Sequence, residues 1–177
     1  MQNYILVLLA DNVEEIELIV PIDLWRRAGY TVITASIDNK ISIKGQHGII
    51  ISADTQLDQV NTDKFNYIFI PGGAGHQLIK ESTLAMDTIK HFIDKNKTII
   101  AICAAPTILS PWLQNKKATC YPSLKNLIPN WVDQAVIEDK PFITSQGAGT
   151  AHHLAFYLIN KISGESVVQS LVKKTIF

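Results

Sequence analysis

Apolar residues in this chain fall into two patterns: short unbroken runs, and stripes that recur every three to four positions. Tyr4 to Ala10 is an unbroken run and reads as a buried strand. Asp11-Asn12 then turns the chain, and Ile16, Ile19, Val20 and Leu24 follow at helical spacing. Pro21 is expected to kink or restart that helix, because its ring cannot continue the hydrogen-bond ladder, and Gly29 to end it. Tyr30 to Ser36 reads as a second strand, and Ile41 to Ile51, broken by Gly45 and Gly48, as a hairpin projecting from the sheet. Asn66 to Ile70 gives a third core strand, closed by Pro71-Gly72-Gly73. Ser82 is placed to cap a helix with Met86, Ile89 and Ile93 on one face. Thr98 to Ile102 is a further buried run, followed by Cys103 and a helix start at Ala104 to Leu109.

Beyond a turn at Trp112 to Lys117 come short segments around Ala118 to Tyr121 and Ala135 to Glu138, then a strand from Pro141 to Ser145. Gly147 to Thr150 reads as a turn into an amphipathic helix carrying Ala151, Leu154, Ala155, Leu158 and Ile162, and a shorter helix follows Gly164. Strands alternating with helices imply a doubly wound, mostly parallel α/β sheet with helices on both faces. At 177 residues, one domain over 1–177 is expected.

Charge removes some partner classes. Sixteen basic residues balance sixteen acidic ones, so no electrostatic footprint for nucleic acid or an anionic membrane is expected. Neither a charged-then-apolar leader nor an apolar stretch of membrane-spanning length is visible, and a cytoplasmic, reduced setting is the expectation. A disulfide between Cys103 and Cys120 is the minority reading there. No internal repeat or linker is visible.

Cys103 is the main candidate for chemistry. It stands between a buried strand and a helix start, the geometry of a nucleophile elbow, with small residues Ala101 and Ala105 two positions either side. Pro106 suits a first helical turn, and the positive end of the helix is expected to lower the thiol pKa. The competing reading is a buried, inert cysteine.

Glu17 lies on the apolar stripe of its helix, where a carboxyl group is either satisfied structurally or functional. Beside a thiolate it would keep its proton and donate to sulfur. Glu14 and Glu15 read as first-turn acids complementing the helix dipole. The turns after the strands should meet at the carboxyl edge of the sheet, where such folds bind ligands. There Gly72, Gly73 and Ala104 can offer backbone N–H groups as an oxyanion hole, although a glycine pair also simply ends a strand. The loop at Gly147 to Thr150 lacks the lysine of a phosphate loop and the dinucleotide spacing. The histidines read as surface or packing residues, and no metal-ligand spacing is present, so neither metal nor cofactor is expected.

The chain resembles the ThiJ/PfpI superfamily, in the branch of the parkinsonism-linked protein deglycase and bacterial YajL. The resemblance rests on Glu14-Glu15-Ile16-Glu17, Pro21 to Gly29, Pro71-Gly72-Gly73, Ala101-Ile102-Cys103-Ala104-Ala105-Pro106, Tyr121 to Lys125, and Thr144 to Thr150, in that order along nearly the whole chain. It implies a flavodoxin-like three-layer sandwich, usually a homodimer with its pocket near the subunit interface. It also implies Cys103 as an oxidation-prone nucleophile, Glu17 as its protonated partner, Gly73 and Ala104 as N–H donors, and Arg27 as part of an anion-friendly pocket wall, with Arg26 and His47 nearby. Some relatives carry a histidine where Tyr121 stands, and a phenol is no substitute as a neutral-pH base. The protease group places a histidine directly after the nucleophile, where this chain has Ala104, so peptidase chemistry is not expected.

Three functions follow from the resemblance. The first is a cofactor-free glyoxalase or deglycase acting on methylglyoxal-type dicarbonyls or their early adducts. The second is a redox sensor or chaperone without turnover, in which Cys103 oxidises to sulfinate. A role in thiamine biosynthesis ranks last, because no phosphate-transfer site is visible.

Overall fold

The computed structural model describes residues 3–177; residues 1 and 2 of the domain expected over 1–177 lie outside them. In chain order the first half comprises β1 (Tyr4–Leu9), α1 (Glu15–Arg27), β2 (Thr31–Ser36), β3 (Ser42–Lys44), β4 (Ile50–Ser52), β5 (Thr55–Gln56) and β6 (Tyr67–Ile70). Then come α2 (His76–Glu81), α3 (Thr83–Asp94), β7 (Thr98–Ile102), β8 (Lys117–Ala118), β9 (Asn130–Trp131), β10 (Val136–Asp139), β11 (Phe142–Ser145), α4 (Ala151–Ser163) and α5 (Glu165–Thr175).

The main sheet has the order β10-β11-β7-β6-β1-β2-β5. All its pairings are parallel except β10 with β11. The central strands are covered on both faces, which is why they read as continuous apolar runs. Ile5, Val7 and Leu9 point into one apolar cluster with α1 and α4, and Leu6 and Leu8 into the other with α3 and the segment after β7. Trp25 Nε1–H, fully buried on α1, donates to the Ala155 carbonyl of α4 at 3.2 Å and ties those helices together. The hairpin β3–β4 forms its own antiparallel pair outside the main sheet, as its glycine-broken pattern predicts. Ser82 caps α3 by accepting from the Ala85 N–H at 3.3 Å.

Two expectations need correction. Pro21 neither breaks nor restarts α1, which runs through it from Glu15 to Arg27. Only the Glu17 carbonyl loses its donor to the proline ring, and the buried face of Leu18, Ile22 and Trp25 keeps the helix packed across that gap. The helix start after Cys103 is a 3-10 segment, Ala105–Trp112. Thr107 N–H reaches Ala104, three residues back, at 3.1 Å, and Pro111 has no N–H to offer the Thr107 carbonyl four residues back.

Candidate active site

The main sheet changes direction at β1. The chain leaves β1 toward β2 on one side and returns on the other as β6, so the turns at the carboxyl ends of β1, β6 and β7 splay apart there. Cys103 is the first residue beyond β7 and has φ of +64°, a left-handed conformation uncommon outside glycine. Two backbone bonds hold it: its N–H donates to the Ser145 carbonyl at 2.9 Å, and its C=O accepts from the Tyr121 N–H at 2.8 Å. The elbow is therefore pinned by β11 on one side and the Tyr121 loop on the other.

Glu17 enters from the first turn of α1 and is 1% exposed. Its backbone N–H is capped by Glu14 Oε2 at 2.7 Å, so the helix start itself fixes where the side chain leaves. Oε2 makes no well-formed hydrogen bond, a rare state for a buried oxygen. It lies against Gly72 and Cys103: a Cβ added to Gly72 would overlap both Glu17 Oε2 and Cys103 Cβ. Gly147 closes the other side, where a Cβ would sit 3.5 Å from the Tyr121 ring and 3.8 Å from Glu17 Oε1.

Burial pushes the Glu17 carboxyl up to about 7, and the negative charge of Glu14 adds to this; the Cys103 thiol and the N–H groups of Gly72 and Ala148 act the other way. Burial, followed by the charge of Glu17, pushes the Cys103 thiol up to about 12, against the N–H groups of Gly73 and Ala104. The expectation that a helix terminus lowers this thiol is thus reversed. A short 3-10 segment does not outweigh burial beside a carboxylate, and the pair takes on a single negative charge only as pH rises through about 7.

Both side chains face a cavity of about 400 Å³. Gly73, Ala104 and Tyr121 line it, while Gly72 lies outside the lining, packed against Glu17 Oε2 and Cys103 Cβ. Arg27 is not part of it. Its guanidinium is exposed and bonds Asp23 at 2.6 Å along α1, so no anion-binding wall comes from that residue within one chain. Sequence reasoning missed Gln46 and His76, which also line the cavity. They arrive from a hairpin turn and a loop end, where no periodicity marks them. Glu14, read as a simple dipole acid, also lines it.

Glu15 likewise does more than complement a dipole. It is buried, and its carboxylate accepts from His47 N–H and faces His47 Nδ1, both at 2.8 Å, which fastens the β3–β4 turn to α1. Burial opposes ionisation of Glu15, but these bonds win and hold its pKa below the ordinary value; the same contact raises that of His47. Glu14, Glu15 and His47 place ligand atoms within 4.8 Å of one another and could hold a metal ion, a grouping the sequence spacing conceals. The ion would compete with the bonds that already occupy Glu15.

A family model for the DJ-1/PfpI family matches residues 3–161. The Drosophila melanogaster protein dj-1beta is 37% identical over 98% of this chain and 96% of its own length. Its crystal structure superposes with a TM-score of 0.91 over 99% of this chain and 98% of that one, at 35% identity. A deglycase of Pyrococcus abyssi is 30% identical over 82% of this chain and 90% of its own. A structure of oxidised DJ-1 from Toxoplasma gondii matches with a TM-score of 0.94 over 99% of this chain and 98% of that one, at 28% identity.

Proposed function

The chain belongs to the DJ-1/PfpI family, and we propose that it acts as a cysteine-dependent, cofactor-free glyoxalase or deglycase on methylglyoxal-type dicarbonyls or their early adducts. The observation that carries this is the unpartnered, buried Glu17 Oε2 set against Cys103 on a left-handed turn, both open to one cavity. Deglycase-named relatives support the same class.

Chemistry begins in the form with the shared proton on Glu17 and the charge on sulfur. Cys103 Sγ adds to the aldehyde carbon, and the developing oxyanion is met by the N–H groups of Gly73 and Ala104. Glu17 gives its proton to that oxygen, making a hemithioacetal. As a carboxylate it then removes the hydrogen from the former aldehyde carbon and returns it to the neighbouring carbon. Water cleaves the resulting thioester to lactate, and Cys103 is regenerated. Tyr121 serves as a cavity wall in this scheme.

The test is methylglyoxal consumption and lactate formation by the wild type beside Cys103→Ala, Glu17→Gln and Cys120→Ala. Loss of turnover in the first two and retention in the third is the expected result. No turnover in any variant, wild type included, rejects an enzymatic role toward this substrate.

A second reading, a redox-responsive protein, is favoured by one contrast. Cys103 opens to the cavity, whereas Cys120 is fully buried in the opposite apolar cluster. Mild peroxide should then add two oxygens to Cys103, as read by mass spectrometry, before Cys120 changes. Equal oxidation of the two rejects a tuned site. A reduced, cytoplasmic setting and a homodimeric state complete the proposal.

A further inference from the structure

We propose that His76 and Gln46 are positioning residues that clamp the Gly73–Ala74 peptide from both ends and thereby hold the Gly73 N–H on the Cys103 sulfur. The inference rests on Cys103 as the reacting group of the function proposed above. Gly73 has φ of +80° and no side chain, so nothing intrinsic fixes the direction of its N–H. The fixing comes from its neighbours. On the preceding peptide, the Gly72 carbonyl accepts from the Glu14 N–H at 3.2 Å. On the following one, the Gly73 carbonyl lies 2.8 Å from His76 Nδ1, and the Ala74 N–H donates to Gln46 Oε1 at 2.8 Å. These last two contacts grip opposite ends of a single peptide group.

A carbonyl oxygen cannot donate, so His76 Nδ1 carries the proton, and Nε2 accepts from the Gln77 amide at 2.9 Å. Gln46 is itself held, its N–H donating to the Val13 carbonyl at 2.8 Å, and the next residue is anchored by Glu15. With Oε1 engaged, the Gln46 NH₂ is the end left to meet a ligand at the cavity wall. Both side chains line that cavity together with Gly73 and Cys103, and the Gly73 N–H favours the ionised form of the sulfur. Loosening either grip lets the Gly73–Ala74 peptide rotate and, through the Gly73 Cα that joins it to the preceding peptide, frees the Gly73 N–H to turn away from the sulfur.

The experiment follows the rate of Cys103 alkylation by iodoacetamide against pH, in a Cys120→Ala background, for His76→Ala, His76→Asn, Gln46→Ala and the double alanine variant. Each single alanine variant should slow alkylation at neutral pH about threefold and move the profile up by about half a unit, the effect of one weakened hydrogen bond to a charged group. Asparagine, whose NH₂ can replace the Nδ1 donor, should restore most of the rate. The double variant should lose less than the product of the singles, because both grips act on one peptide.

Turnover of methylglyoxal should fall in kcat with KM nearly unchanged, since the donor matters most when charge develops. Parent-like alkylation profiles in both folded alanine variants, or no recovery with asparagine, overturn the proposal. Gln46 sits on an exposed turn outside the core, so Gln46→Ala still reads the clamp if His76→Ala fails to fold. Altered alkylation in a protein that never consumes methylglyoxal supports the clamp and counts against the dicarbonyl reading alone.

Discussion

Above about pH 7 Glu17 and Cys103 together hold one charge at a largely buried site, and the cost falls on the folded state. An unfolded glutamate ionises near 4.5, whereas Glu17 in the fold holds its proton up to about 7. Between those values the folded chain binds a proton that the unfolded chain has released, so stability falls as pH rises through this window. The loss is complete above about 7 and amounts to at most about 3 kcal/mol. Glu17→Gln removes it. The variant should be more stable than the wild type in urea unfolding at pH 8, with the advantage shrinking to nothing near pH 4.

The same ionisation releases the charge that the sulfur needs. Wild-type turnover should therefore rise with pH through a single step near 7 and level off above it, as a pH series of kcat/KM would show. Both residues were legible in the sequence. Cys103 follows an unbroken apolar run and precedes Ala-Ala-Pro, and Glu17 interrupts an apolar stripe. The direction of the thiol shift was not legible, because it depends on burial and on how close the carboxylate lies.

At the scale of elements, the site depends on how the turn after β6 nests against the turn between β1 and α1. The Gly75 N–H donates to the Asn12 carbonyl at 2.9 Å, and a Cβ on Gly73 would overlap Asn12 O and Glu14 N, both rigid backbone atoms. Gly73→Ala adds this overlap to a φ of +80° and should destabilise the protein by about 2–4 kcal/mol. Alkylation of Cys103 should become slower in whatever fraction still folds, because the displaced turn carries the N–H that faces sulfur. Urea unfolding and the alkylation rate check the two effects separately.

Elements with strong periodicity, such as β1, β7 and α4, were readable in advance because their pattern is set by which faces the sheet buries. The 3-10 segment after Cys103 and the unbroken α1 were not. In the first, Pro111 removes a donor that an apolar pattern does not register; in the second, packing against α4 carries the helix past Pro21. Gln46 and His76 belong to the same class of hidden residue: their place comes from tertiary hydrogen bonds of turns.

At the scale of the whole molecule, two elements that reach the site, α1 and the β3–β4 hairpin, carry large exposed apolar side chains. Ile16 and Ile19 lie one turn apart on α1 and are 51% and 48% exposed; Ile49 and Ile50, on the adjoining hairpin, are 57% and 63% exposed. The two pairs lie on elements that touch, since the Ile49 N–H reaches Glu15 Oε1 of α1 at 3.4 Å. Single exposed isoleucines are ordinary, but four together on neighbouring elements mark an interaction surface. A second copy of the chain is the occupant we propose, in keeping with the homodimer that the family resemblance implies.

Sedimentation velocity should then show the wild type at twice the 19.7 kDa of one chain, and Ile16→Glu combined with Ile49→Lys at a single chain. Leu127→Lys, a charge placed on an exposed leucine elsewhere, should leave the larger species intact. The hairpin that carries Ile49 also carries Gln46 to the cavity wall, and α1 carries both Ile16 and Glu17. Separating the copies should thus lower methylglyoxal turnover through the site as well as the mass. A wild type that sediments as one chain at tens of micromolar rejects the interface and leaves the chemistry of Cys103 and Glu17 to a single chain.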